Sequence, residues 1–113
     1  MIRRKRWFQA GLALGVLAFA FGTASAEEEI RIVIKDHRFT PSEVRVKAGT
    51  KTKLIVVNED AAAEEFESFS LNREKIIRPG QTATIFLPPL KPGHYDFFGE
   101  FHPDTAKGTV IAE

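Results

Sequence analysis

From Ile30 onward the apolar residues of this chain fall at every second position: Ile30, Ile32 and Ile34 are followed by Arg31, Val33 and Lys35, and Val44 and Val46 alternate with Arg45 and Lys47. A two-residue period puts one set of side chains on each face of a pleated strand and does not fit the 3.6-residue period of a helix. The β-branched run Lys53–Asn58 (KLIVVN) reads as another strand, with Ala48-Gly49-Thr50 as the tight turn before it. Further strands are expected at Phe66–Leu71, Thr82–Leu87, His94–Phe98 and Gly108–Ala112, with turns at Pro79-Gly80, Pro88-Pro89 and Pro92-Gly93. About seven short strands without a helical period predict an all-β fold, an antiparallel Greek-key β-sandwich. Glu59–Glu65 (EDAAAEE) is rich in Ala and Glu; one helical turn is open to it, but its length suits a loop better.

The first 26 residues stand apart from that pattern. They run from Arg3-Arg4-Lys5-Arg6 through the 13 apolar residues Ala10–Gly22 to Ala24-Ser25-Ala26, the order of a secretory signal peptide, with cleavage expected after Ala26. An apolar stretch of that length is shorter than the roughly 18–20 residues that cross a bilayer, which argues against a retained anchor. The expected organisation is a signal peptide over 1–26 and one domain over 27–113, exported to the bacterial periplasm.

Without Arg3, Arg4, Lys5 and Arg6, the 16 basic residues become 12 against 15 acidic ones, a formal charge of −3 on residues 27–113. With no Lys/Arg cluster, that balance argues against nucleic acid and anionic membrane as partners, since both need a concentrated cationic footprint. Met1 and Trp7 lie in the leader and Cys is absent, so residues 27–113 contain no Cys, Met or Trp. Soft metal ligands are therefore missing, and the domain must rest on one apolar core without disulfides. Phe39, Phe66, Phe69, Phe86, Phe97, Phe98 and Phe101 are expected in that core, Phe98 and Phe101 nearest any site. No nucleophile–base pair, phosphate loop or Gly-rich cofactor fingerprint supports hydrolase or nucleotide chemistry.

An ordered series of short motifs carries a family resemblance. Phe39-x-Pro41-x-x-Val44-x-Val46-x-Ala48-Gly49, Val57-Asn58-x-Asp60, Pro79-Gly80, Leu90-x-Pro92-Gly93-x-Tyr95-x-Phe97 and Gly108-Thr109-Val110 together resemble the cupredoxin framework over nearly all of the chain from Ile30 to Ala112. The resemblance implies a cupredoxin-like sandwich, but the copper ligands do not carry over. The first ligand His falls at Glu64, the Cys at Gly99, the second His at His102 and the Met near Thr105-Ala106. Without thiolate or thioether, blue-copper electron transfer is ruled out chemically.

Carboxylates and one imidazole stand in for the copper ligands: Glu64, Glu65, Glu67 and His102, with Asp36, Glu100 and Asp104 further off. Oxygen with a little nitrogen suits Fe(II), Fe(III), Mn(II) and Cu(II) and offers Cu(I) nothing. Asp36 keeps the phase of Ile30, Ile32 and Ile34, so it is expected to point inward, at the pole where a cupredoxin carries its metal loops. Glu64 shares phase with Phe66, and Glu65 and Glu67 take the opposite phase; sequence does not choose among the three. Asp36, His102, Glu64, Glu65 and Glu67 are the candidate metal ligands, while His37 and His94 read as solvated turn and strand-entry residues.

The Glu65-Phe66-Glu67 segment, the Asp36 position and Gly93-x-Tyr95-Asp96 are similar to the cupredoxin-like proteins of bacterial Ftr-type and Efe-type iron uptake systems, and Gly99-Glu100-Phe101-His102 is closer to the Ftr-type subunit. That resemblance implies a periplasmic protein that binds Fe(II), oxidises it to Fe(III) in the manner of a ferroxidase, and serves an inner-membrane iron permease together with an associated periplasmic iron-binding protein. The paired Cys of Efe-type domains are Phe39 and Gly99 here, so thiol chemistry does not carry over. Two rival readings remain: a Cu(II)-binding periplasmic chaperone or sensor without redox turnover, and a metal-free sandwich that binds a protein partner. Sequence leaves the oligomeric state, homodimer included, open.

Overall fold

The computed structural model describes residues 27–113; the expected signal peptide lies outside the described residues. Among the described residues nine strands are present: β1 (Glu28–Lys35), β2 (Arg38–Thr40), β3 (Glu43–Val46), β4 (Thr52–Asn58), β5 (Glu64–Ser68), β6 (Arg73–Ile77), β7 (Thr82–Leu87), β8 (Gly93–Gly99) and β9 (Lys107–Ala112). They form a four-stranded sheet in the order β2-β1-β4-β7 and a five-stranded sheet in the order β3-β9-β8-β5-β6. All seven expected strands exist, and two short ones add to them. The expected strand at Phe66–Leu71 begins two residues earlier, at Glu64, and gives way to a turn at Phe69. The Glu59–Ala63 segment is loop, as its length suggested.

The sheets are mixed rather than antiparallel, because β1 pairs with β4 and β3 pairs with β9 in parallel. Alternation reports which face a residue occupies, and that signal is the same for both strand directions. The core draws on the inner faces of both sheets, with Ile32, Leu54, Val56 and Ile85 from one and Phe66, Phe97, Val110 and Ala112 from the other. Phe97 lies at its centre, edge-on to Phe39 at 5.0 Å and stacked on Phe66 at 4.9 Å between ring centroids. Three of the seven phenylalanines expected in the core are instead exposed: Phe69 (80%), Phe86 (58%) and Phe101 (46%). Phe86 takes the outer phase of β7, where Lys53 Nζ stands 5.9 Å from its ring, while Phe69 and Phe101 lie in turns that follow no strand phase.

Three connections meet at one pole. The β1–β2 turn is held to the β4–β5 loop through Asp60 and to the β8–β9 loop through Thr105. These connections carry the chemistry-bearing residues.

Candidate functional site

Strand β5 buries Glu64, Phe66 and Ser68 on its inner phase, so a carboxylate is carried into the sandwich. Glu64 is 1% exposed, and a charge buried to that degree needs full hydrogen bonding. It has it: Oε1 accepts from the Phe101 and Glu65 amides at 2.9 and 3.0 Å, and Oε2 lies 2.7 Å from His102 Nδ1. His102 arrives from the β8–β9 loop, wound tightly by bonds from its own amide to the Gly99 carbonyl and from the Thr105 and Ala106 amides to its carbonyl. Its Nδ1 faces inward to Glu64, and 27% of the side chain remains exposed.

Gly99 closes the floor of this pair. A Cβ placed there would lie 2.5 Å from Glu64 Cδ and 2.6 Å from Ala106 Cβ. Glu64, Gly99, His102 and Ala106, which the cupredoxin resemblance sets at or near ligand positions, are thus brought together. Their side chains do not fit a blue-copper centre: the chain has no Cys, and the space beside Gly99 is filled by the Glu64 carboxylate.

A second imidazole lies against the first. The His37 ring stacks on His102 with centroids 3.7 Å apart and planes inclined by 12°. His37 is the second residue of the two-residue β1–β2 turn, in which Asp36 and His37 both take left-handed backbone angles, φ 53° and 58°. Asp and His tolerate that region better than most residues, and it matches the turn geometry that closes tight hairpins. Asp60 fixes the turn by accepting the Asp36 amide at 2.7 Å and the His37 amide at 2.9 Å, and Thr105 Oγ1 donates to the His37 carbonyl at 2.6 Å. Asp60 is itself aimed by the buried Asn58, whose Oδ1 accepts the Asp60 amide while its Nδ2 donates to the Ala62 and Ile77 carbonyls. Partial burial pushes the Asp60 carboxyl up, but the His37 and Asp36 amide bonds, with the charges of His37 and Lys35, outweigh it and hold the group below its ordinary value. His37 Nδ1 is shielded from solvent 3.5 Å from Asp60 Oδ2, an ion-pair distance for a charged ring but without hydrogen-bond alignment.

The turn corrects two expectations. Asp36 does not point inward: it is exposed, because the strand phase ends at Lys35, which pairs with Arg38, and the left-handed turn resets it. His37, expected to be solvated, is half-buried against His102 and takes the inner place. His94 is exposed on β8 as expected. Phe98 packs beside Phe69 with ring centroids 5.6 Å apart, and the Phe101 amide donates to Glu64 while its side chain is 46% exposed. Asp60 lies two residues beyond the end of β4, inside the Val57-Asn58-x-Asp60 motif, and that motif is the signal the sequence offers for its role.

Glu65 and Glu67 leave by the outer face of the same strand and do not reach His102. They meet Glu74 across the β5–β6 ladder, where Glu67 and Glu74 are direct partners, and one carboxylate oxygen from each of the three lies within 4.8 Å of the others. Desolvation, then the shared hydrogen bond with Glu74 and its charge, push the Glu65 and Glu67 carboxyls up, with Glu100 adding to both. A raised folded-state value contributes stability below the ordinary glutamate range that is lost as pH rises through the raised values. Glu74→Gln is therefore expected to lower both titrations and to narrow the stability difference between mildly acidic and neutral solution, with 13C carboxyl NMR and urea midpoints as the readouts. Unchanged Glu65 and Glu67 titrations in that variant would show the cluster to be uncoupled.

A family model described as a cupredoxin-like domain matches residues 10–112. An uncharacterized protein of Rickettsia prowazekii (strain Madrid E) is 53% identical over 83 residues, which span 74% of this chain and 66% of that protein's length. Among solved structures, the metal binding domain of the Cu(I)-exporting P-type ATPase CopA of Streptococcus pneumoniae D39 superposes with a TM-score of 0.68 at 15% identity, over 75% of this chain and 84% of that one. Auracyanin A, a "blue" copper protein of Chloroflexus aurantiacus, superposes with a TM-score of 0.68 at 14% identity, over 78% of this chain and 100% of its own. At such identities the likeness is one of fold. By the match of its sequence along almost its whole length, the chain belongs to the cupredoxin-like domain family.

Proposed function

We propose that this protein is a periplasmic metal-binding cupredoxin of ferrous iron uptake, which takes Fe(II) at the His102 pole, favours its oxidation to Fe(III), and passes it to an inner-membrane iron permease. The observation that supports this is the donor set: two stacked imidazoles, each with its Nδ1 turned toward a carboxylate, and no sulfur ligand anywhere in residues 27–113. Oxygen and nitrogen donors bind Fe(II), Fe(III) and Cu(II), and carboxylates stabilise the ferric ion more than the ferrous one. His102 would hold the metal with His37 beside it, and dioxygen or a bound Cu(II) would accept the electron. Asp36, at the exposed corner of the turn, and the Glu65–Glu67–Glu74 cluster on the outer face of β5 are further oxygen donors. Export and delivery to a permease rest on the leader sequence and on the resemblance to Ftr-type subunits.

Cu(II) binding without redox turnover is the second reading. It is favoured by the second imidazole, His37, and by neighbours in fold whose names record copper. Titration of the metal-free protein with Fe(II) under nitrogen, and separately with Cu(II), is expected to fill one site at this pole. His102→Ala should weaken that binding by more than the roughly 10–100-fold typical of an outer-shell partner. Admitting oxygen to the Fe(II) form, with and without Cu(II), then follows Fe(III) formation. Protein-dependent oxidation that disappears in His102→Ala supports the iron reading, and tight Cu(II) binding with indifference to Fe(II) transfers the conclusion to copper. Indifference to both metals would remove the metal role and leave a partner-binding sandwich.

A further inference from the structure

We infer that Glu64, although it stands where the fold's first metal ligand would be, is a positioning residue: it holds the proton on His102 Nδ1 and so presents Nε2 to the metal. The inference rests on the proposal that His102 takes the metal, and it assigns the ring nitrogen that does so.

Three observations carry it. Both oxygens of Glu64 are already engaged, Oε1 by two backbone amides and Oε2 by His102, inside a side chain that is 1% exposed. An ionised Glu64 offers only lone pairs, so across the 2.7 Å contact Nδ1 is then the donor and the lone pair of a neutral ring falls on Nε2. Finally, His102 Nε2 has no hydrogen-bond partner among the described residues and is not among their shielded, unpartnered side-chain atoms, of which His37 Nδ1 is the one present. With 27% of the His102 side chain exposed, Nε2 lies on the accessible side of the ring. A metal arriving from outside meets a ring already in the correct tautomer and fixed on two sides, by Glu64 through its edge and by the His37 ring across its face. Carboxylates that orient metal-binding histidines in this way are a general device of metal sites.

Glu64→Gln tests the tautomer with little change of shape. The Phe101 and Glu65 amides still require an acceptor, so the Gln oxygen takes the Oε1 place and its NH2 faces His102 Nδ1. Nδ1 must then accept, and the ring proton moves to Nε2. In 15N NMR of the metal-free protein at about pH 8, where an ordinary imidazole is neutral, His102 is expected as the Nδ1–H tautomer in the wild type and as Nε2–H in Glu64→Gln. Loading the wild type with Zn(II), a diamagnetic probe, should shift Nε2 and leave the Nδ1 proton in place. Cu(II) affinity in Glu64→Gln should fall by roughly 10–100-fold. A wild-type Nε2–H tautomer, Zn(II) on Nδ1, or an unchanged Cu(II) affinity despite a swapped tautomer would each overturn the inference, the wild-type arms holding even where the variant folds poorly. Metal binding that survives His102→Ala would overturn it together with the proposed site. Binding that needs His102 but not the Nδ1–H tautomer removes this inference alone.

Discussion

Gly99→Ala is expected to destabilise the protein by about 3 kcal/mol, at the upper end of overpacking costs. The added Cβ would sit 2.5 Å from Glu64 Cδ, 2.6 Å from Ala106 Cβ and 2.7 Å from Glu64 Oε2. None of these neighbours can swing aside: Glu64 is held by three hydrogen bonds, and Ala106 is fully buried in a loop whose carbonyl accepts the Gly99 amide. The strand end and the His102 loop must separate, so the His102–Glu64 bond should loosen along with global stability. Urea denaturation followed by circular dichroism measures the first effect and the His102 ring 15N shifts the second. The same clash predicts that Gly99→Cys, which would put a thiol at the position that the cupredoxin resemblance gives to Cys, yields a less stable protein and no blue-copper centre. A Gly99→Ala variant within about 0.5 kcal/mol of wild type, the range of an inert surface change, would mean that the packing around Glu64 is looser than these distances.

Phe97→Ala should cost about as much or more, roughly 3–5 kcal/mol. Phe97 is 1% exposed, contacts Phe39 and Phe66, and lies so close over the β8–β9 ladder that a Cβ on its partner Gly108 would reach within 2.3 Å of its ring. A domain of this size has a total stability on the order of 5–10 kcal/mol, and with no cysteine there is no disulfide to compensate. A large unfolded fraction at physiological temperature is the expected result, with Phe97→Leu retaining most of the stability because its volume is closer. A Phe97→Ala urea midpoint close to that of the wild type would remove this residue from the centre of the core.

Much of the fold was legible because burial in a sheet is a local, periodic signal. Ile32 and Ile34, and Val44 and Val46, are buried where alternation puts them, and Glu64 enters the sandwich in the phase of Phe66. Strand phase ends at Lys35: the two left-handed residues of the turn break the alternation and exchange the roles expected of Asp36 and His37. Phe69 and Phe101 misled for the same reason, since turn residues inherit no face from the strand before them.

The candidate site was legible residue by residue and illegible as an assembly. His102 and Glu64 stood out as substitutes at ligand positions, and Glu65 and Glu67 as neighbouring carboxylates, yet the structure divides these acids between the two faces of one strand. Glu74 joins Glu67 only through the β5–β6 register, and Asp60 reaches the β1–β2 turn only because β1 and β4 are paired side by side.

The amino-acid order by itself determined seven of the nine described strands, the inward faces of those that alternate, and the absence of sulfur ligands from residues 27–113, hence the hard character of any metal site there, because each follows from local period or from composition. Only the tertiary structure decided that strands pair in parallel as well as antiparallel, that His37 rather than Asp36 lies against His102, and that both oxygens of Glu64 are spent before a metal arrives. Those outcomes depend on contacts between residues as far apart in sequence as Glu64 and His102, or His37 and Thr105, which no local pattern encodes.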